Sequence, residues 1–388
     1  MGLLRVLVKN AHVLTPLGDL GVVNVMVKDG VVEGFDVEAV PDRVVDAERY
    51  YVAPGFIDTH IHGYGGVDVT EASAEEILEM SGGLAEHGVT GFLASTVAAP
   101  HERLLQACSN VAAASSRWSP SKGARILGVH LEGPYLNPKM KGAMNEQYFR
   151  KPSLRELDEY VSASRGLVRQ VTVAPEVEGA LEFIEEASRR GITVSVGHTD
   201  ATYEQALRAV EAGARKANHI FNQMRGFHHR EPGTAMALLL DTDVFVEMIV
   251  DFVHLHPATV RLVYRLAGPL RTVLITDAVR AAGLPDGEYT LGGLRIVVKE
   301  GVSRLADSGA LAGSTLTMDR AVRNMTKVGA NTLEALTMAS YTPAKSVGAL
   351  GRERVGLLRP GYAADMVVLD ERLEVKKTII AGEVVYEA

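Results

Sequence analysis

Phe56-Ile57-Asp58-Thr59-His60-Ile61-His62 is a strand-like run with Asp58, His60 and His62 at alternate positions. Side chains on a strand repeat every two residues, so these three share one face and the two imidazoles converge on one point. Four later runs also end in metal-binding groups. Glu132 closes residues 125–131, His198 closes Ile192-Thr193-Val194-Ser195-Val196-Gly197, His219 closes Ala214-Arg215-Lys216-Ala217-Asn218, and Asp277 closes Thr272-Val273-Leu274-Ile275-Thr276. A single histidine at a strand end is most often a hydrogen-bonded core or loop residue. Several strands delivering ligands at one end is a pattern that a hydrolase metal centre explains and chance does not. Imidazole and carboxylate donors suit zinc first, with iron, manganese and cobalt as other divalent candidates. The set has donors for one or two ions, and two would share Glu132 as a bridge.

Working outward, strand-like runs recur near 56–62, 89–97, 125–132, 169–174, 192–198, 214–219, 244–250 and 272–277. Helical stretches such as 73–87, 178–190, 203–212 and 257–267 separate them, with Gly88 and Gly213 placed to stop two of the helices. Eight alternations predict a (β/α)8 TIM barrel with its ligands at the carboxyl ends of the strands, where such barrels build active sites. A doubly wound open sheet has the same rhythm, but only closure makes the first and last strands neighbours.

Both chain ends have a different character. Leu3-Leu4-Arg5-Val6-Leu7-Val8-Lys9 reads as a strand, too early interrupted by charge for a signal-peptide core. Asp29-Gly30 between apolar runs is a hairpin signal. Ala364–Leu369 and Thr378–Tyr386 are again β-type. Residues 1–53 plus 345–388 are expected to pair into a small β-sandwich module, leaving 54–344 as the catalytic barrel.

Hydrophobic residues at 47% and charged residues at 23% are ordinary for a globular protein. A net charge of −8 argues against general nucleic-acid or anionic-membrane binding, so an anionic substrate must meet local positive charge. The basic loop Arg225-Gly226-Phe227-His228-His229-Arg230, close to His219, offers it, and Arg230 is suited to a bidentate phosphate contact. The single cysteine, Cys108, excludes an internal disulfide and reads as a small buried hydrophobe. No uncharged apolar run approaches the roughly 20 residues that span a bilayer. The expectation is a cytoplasmic enzyme.

Over nearly its whole length the chain resembles the amidohydrolase superfamily, and within it the N-acetylglucosamine-6-phosphate deacetylases. The broad likeness lies in Ala53-Pro54-Gly55 leading into His60-Ile61-His62 and in Gly361-Tyr362-Ala363-Ala364-Asp365-Met366-Val367-Val368. The narrower one lies in His130-Leu131-Glu132-Gly133-Pro134, Gly197-His198-Thr199-Asp200, Asn218-His219-Ile220-Phe221-Asn222-Gln223-Met224, Arg230-Glu231-Pro232-Gly233, Thr276-Asp277-Ala278 and Leu311-Ala312-Gly313-Ser314-Thr315. The resemblance implies that Glu132, His198 and His219 hold the main metal, that His60 and His62 hold a second, and that Asp277 is the catalytic carboxylate. It implies that Asn222, Gln223, Arg230 and His254 hold a sugar phosphate and that Leu311, Ala312 and Gly313 border the substrate. Ala143 and Met144 fall where the family faces the sugar, and Met144 stands where several members carry a histidine or another polar side chain. The resemblance also implies a homodimer in which one subunit lends a phosphate contact to the other.

Three functional classes follow. The first is a deacetylase of a phosphorylated N-acetyl amino sugar; the second is an amidohydrolase of another N-acyl amino sugar, a cyclic amide or a nucleobase; the third is a metal-binding protein without catalysis. Cyclic-amide hydrolases commonly place a carboxylated lysine after strand 4, where this chain has Ala174-Pro175-Glu176. A purely structural site has no need of a carboxylate such as Asp277 beside an open coordination position.

Overall fold

The computed structural model describes residues 4–388; Met1–Leu3, the start of the expected 1–53 module, lie outside the described residues. Strands β1 (Phe56–Ile61), β2 (Val89–Thr96), β3 (Arg125–Glu132), β4 (Val168–Val173), β5 (Thr193–Val196), β6 (Lys216–Ala217), β7 (Phe245–Ile249) and β8 (Thr272–Ile275) are parallel neighbours in chain order within one sheet. β1, β2 and β8 are buried at every residue. Burial on both faces is what a sheet with helices outside and packed side chains inside requires.

The barrel closes between β8 and β1 with little ladder. Asp277 N donates to His60 O at 2.9 Å, and Thr276 Oγ1 donates to Asp58 Oδ2 at 2.5 Å. Asp58, expected beside the two imidazoles, therefore serves the seam. Burial raises its pKa to about 6, against the opposing hydrogen bonds from Thr276 and from the His60 amide.

Each strand is followed by a helix: α1 (Ala74–Ala85), α2 (His101–Arg117), α3 (Leu154–Ala163), α4 (Ala180–Arg189), α5 (Tyr203–Glu211), α6 (Gly233–Leu240), α7 (Pro257–Ala267) and α8 (Met318–Lys327). α1 shows why these segments are helical. Ser73 and Glu76 form a reciprocal capping box, and Ile77, Leu78, Met80, Ser81, Leu84 and Ala85 make its buried stripe. Gly88 and Gly213 follow α1 and α5 with φ of +77° and +117°, the left-handed turn that glycine takes without strain. Cys108 is buried on α2.

Between β8 and α8 the chain inserts a three-stranded antiparallel sheet, Gly287–Leu291, Leu294–Lys299 and Val302–Leu305, which the β/α rhythm does not announce. Its first turn, Gly292-Gly293, lies against Val97, where a Cβ on Gly292 would come within 2.8 Å of Val97 Cγ2. The hairpin tip thus seats on the barrel mouth.

Strands from both ends form a second eight-stranded sheet. Its order is Glu383–Glu387, Val375–Ile380, Met366–Leu369, Tyr51–Pro54, Arg5–Thr15, Gly18–Lys28 and Val31–Phe35, with Arg43–Asp46 paired to Arg5–Thr15. Val8, Val25, Val52, Met366 and Ile379 lie in its own core. Asp29-Gly30 makes the expected hairpin turn. Ala381-Gly382, also at positive φ, splits the 378–386 run into a second hairpin. The helix Tyr341–Ser346 crosses the expected boundary at 345, and Ala344, Val347, Ala349 and Val355 pack with Ile57, Leu93 and Leu127 of the barrel.

Candidate metal centre and active site

The strands end just short of most of the ligands. β5 and β8 stop at Val196 and Ile275, and His198 and Asp277 then take left-handed backbone angles, φ +47° and +50°. His and Asp tolerate that region better than branched residues do. The turn carries both side chains out of the ladder and over the mouth.

Glu132 stands at the middle. Its Oε1 lies 2.9 Å from His219 Nε2 and 3.3 Å from His198 Nε2, while its Oε2 lies 3.0 Å from His62 Nε2 and 3.4 Å from His60 Nε2. Asp277 Oδ1 is 3.2 Å from His62 Nε2 and 3.4 Å from His60 Nε2. Two overlapping ligand groups result, His60, His62, Glu132 and Asp277 on one side and Glu132, His198 and His219 on the other.

The backs of the rings supply the test of fit. Each Nδ1 faces a group that only accepts: Glu247 Oε2 at 3.1 Å from His60, Ser95 O at 3.2 Å from His62, Met140 O at 2.8 Å from His198, and Asn222 O at 3.2 Å from His219. Nδ1–H therefore donates in all four, which turns every Nε2 inward as the ligand atom. This buried donor set suits a divalent metal.

Burial opposes charging His60, yet Glu132 and Glu247 outweigh it and hold its pKa well above the usual imidazole value. His62 reaches about 9 against the same burial, because Asp277 and Glu132 accept from it. Glu132 and Asp277 stay below the ordinary carboxylate range despite burial, Glu132 facing His60, His198 and His219, and Asp277 facing His62 and His60.

Beneath the ligands lies a buried polar layer that sequence reasoning missed. Lys216 Nζ donates to Glu247 Oε1 at 2.7 Å and to Thr59 Oγ1 and Gln170 Oε1 at 2.8 Å each. The available signal was a charged residue inside an apolar strand, Glu247 within Phe245-Val246-Glu247-Met248-Ile249. His130, expected on the barrel interior, is there, with Nε2 2.8 Å from Thr172 Oγ1 and its ring edge-on to His60 at 4.5 Å.

A cavity opens above the cluster, bordered by His62, Glu132, His198, His219 and Asp277 at one end. Ala143, Met144, Asn222, Gln223, His254, Leu311 and Gly313 border the rest, joined by Val97 and Leu291, which the sequence did not single out. Ala312 is fully buried behind its neighbours. Met144 clusters with Val97, Leu291 and Ala312, so this wall is apolar. His254 is held by Asp251, Nδ1 to Oδ2 2.7 Å, an orienting partner also missed.

Arg230 is not brought to this cavity. It is exposed, with Nη1 2.7 Å from His229 Nε2, and no Lys or Arg among the described residues lines the cavity. Arg225 is held by Asp200, Nε to Oδ1 3.0 Å.

Comparison with known proteins places these features in context. Residues 51–385 match the amidohydrolase family. The N-acetylglucosamine-6-phosphate deacetylase of Vibrio furnissii is 42% identical, over 92% of this chain and 88% of that one. The N-acetylgalactosamine-6-phosphate deacetylase of Escherichia coli O157:H7 is 40% identical, over 96% and 97%. Among solved structures, a mutant N-acetyl-D-glucosamine-6-phosphate deacetylase from Mycobacterium smegmatis, in complex with N-acetyl-D-glucosamine-6-phosphate, superposes with a TM-score of 0.90 at 37% identity, covering 99% of this chain and all of that one. The Thermotoga maritima N-acetylglucosamine-6-phosphate deacetylase gives 0.88 at 37% identity, over 98% and 100%.

Proposed function

Because the chain belongs to the amidohydrolase family and, within it, to the N-acetylglucosamine-6-phosphate deacetylases, we propose that it hydrolyses the amide of N-acetylglucosamine 6-phosphate to glucosamine 6-phosphate and acetate. The observation that carries this reading is Asp277, a buried carboxylate 3.2 Å from His62 Nε2, at the end of the cavity that His62, Glu132, His198 and His219 border.

Glu132, His198 and His219 would hold one ion, and His60, His62, Glu132 and Asp277 a second, with zinc the ion this donor set favours. An ion there supplies Lewis acidity, toward a carbonyl oxygen and toward water. The protein does the rest. Asp277, ionised at neutral pH, accepts a proton from the attacking water at its carboxylate and delivers it to the sugar nitrogen, which would otherwise leave as a poor anion. Asn222, Gln223 and His254 hold the sugar phosphate at the far end, His254 with its ring fixed by Asp251. With no Lys or Arg among the described residues lining the cavity, Arg230 would reach a phosphate from the second subunit of a homodimer.

Two observations favour this over a cyclic-amide hydrolase. Glu176, after β4, is tied to Asn137 Nδ2 at 2.6 Å and to the Asp200 amide at 2.7 Å, away from the ligands. Lys216 has all three protons donated within the buried layer, so it is not a carboxylated bridge.

Among the described residues no helix is long and apolar enough to cross a membrane, and we place the enzyme in the cytoplasm. The test is acetate release from N-acetylglucosamine 6-phosphate, its galactosamine epimer and unphosphorylated N-acetylglucosamine, with metal content measured on the same sample. A strong preference for a phosphorylated sugar, lost on chelation, is expected. Metal-loaded protein inactive on all three would contradict the reading.

A further inference from the structure

We propose that Glu247, paired with Lys216, is a positioning residue for His60 and strengthens the ion position that His60 shares with His62 and Asp277 relative to the position at His198 and His219. Four imidazoles point Nε2 at the centre, but their supports differ. His62, His198 and His219 each donate Nδ1–H to a backbone carbonyl, of Ser95, Met140 and Asn222. Only His60 donates to a carboxylate, Glu247 Oε2 at 3.1 Å.

That carboxylate is fully buried, and its other oxygen accepts from Lys216 Nζ at 2.7 Å and from Gln170 Nε2 at 3.2 Å. Burying such a pair is not a route to stability, since apolar side chains of similar volume commonly do as well or better. Its position explains it. Lys216 balances Glu247, and the negative end of the pair touches one ligand ring. An imidazole donating to an anion is a stronger electron donor and cannot rotate; partners of this kind typically account for about 10- to 100-fold in metal affinity.

The effect is one-sided. Glu247 Oε2 also takes a 3.4 Å donation from His219 N, but that backbone is held separately by Ile220 N on the Glu247 main-chain oxygen at 2.9 Å, which a side-chain change leaves in place. The two ion positions should therefore differ in affinity.

The inference rests on the two-ion reading, and one experiment separates them. Metal-free wild type, Glu247→Gln and Glu247→Gln/Lys216→Met are titrated with zinc against a chromophoric chelator, and cobalt(II) absorption spectra are recorded for each. The double variant guards against misfolding, because it leaves no buried lysine without its counter-charge. Wild type is expected to bind two zinc ions per chain. Both variants should bind one as before and the other about 10- to 100-fold more weakly, with the corresponding cobalt band reduced. Two ions at wild-type affinity in both variants, or equal weakening of both ions, overturns the inference and leaves the two-ion reading standing. A single zinc ion in wild type overturns both. A merely structural role would shift the melting temperature of the metal-free protein without changing the ratio of the two affinities.

Discussion

Asp277 is the residue on which the chemistry turns. It belongs to a ligand group and also carries the proton in the proposed reaction. Asparagine keeps its size and one carbonyl oxygen but cannot accept a proton. Asp277→Asn should lower kcat by about 10²- to 10⁴-fold, the usual range for a lost general acid–base, while the ion at Glu132, His198 and His219 and the affinity for the sugar phosphate persist. Steady-state kinetics with metal analysis measures this; a variant with full turnover would remove Asp277 from the mechanism. The six side chains that the structure gathers were legible as candidate ligands because each closes a recognisable strand-like run. Glu247, Lys216 and Asp251 could not, since their meaning lies in which ring they touch across the barrel. Nor could the left-handed turns at His198 and Asp277, which lift the ligands off the ladder, be read from composition or period.

At the scale of elements, the eight strand runs and their helices were legible from the alternation of apolar strands with amphipathic segments. β6 was overestimated, with only Lys216–Ala217 paired where 214–219 was expected. The reason at its carboxyl end is the site itself: Asn218 N makes the last bond to β5, on Val196 O at 3.0 Å, while its Nδ2 donates to Glu132 Oε1 at 2.6 Å. The links between elements were equally hidden. His87, just after α1, joins Tyr64 OH at 2.8 Å on one side and Asp319 of α8 at 3.2 Å on the other, and Arg323 closes the chain on Asp319 at 2.7 Å. Burial opposes charging Asp319, but His87, Thr317 and Arg323 hold its pKa below the usual carboxylate range. A carboxyl whose folded pKa is depressed stabilises the fold above its unfolded value, about 3.9, and that contribution is lost as pH falls through the folded value. Asp319→Asn should cost about 1.5–3 kcal/mol at pH 7. The gap from wild type should narrow as pH falls below about 4. Urea denaturation across that range checks it, and a gap that widens toward acid would show that the link works otherwise.

For the molecule as a whole, the missing cation and a large apolar face address one question. The cavity holds a proposed phosphate site with no Lys or Arg among the described residues at its border, yet Arg230 stands exposed on a neighbouring loop. On that loop Phe227 is 59% exposed, and beside it Leu262 and Leu266 on α7 are 48% and 43% exposed. These three share an apolar surface groove with Phe221, Met236 and His256. Exposed apolar grooves of this kind mark contact surfaces. If two copies meet on this face, each loop 225–230 is carried toward the other copy's cavity mouth, and the arginine that one chain cannot supply comes from its partner. Wild type should then sediment as a dimer. Leu262→Glu/Leu266→Glu should sediment as a monomer with unchanged metal content and a KM for the phosphorylated sugar raised about tenfold or more, the scale of one lost hydrogen bond to a charged group. Arg230→Ala should raise that KM similarly while remaining dimeric. Mixing Arg230→Ala with Asp277→Asn decides between partner and self. Only an exchanged dimer unites an intact Asp277 with a partner's intact Arg230, so activity should rise on mixing, and a mixture no more active than the average of its parts would return Arg230 to its own subunit.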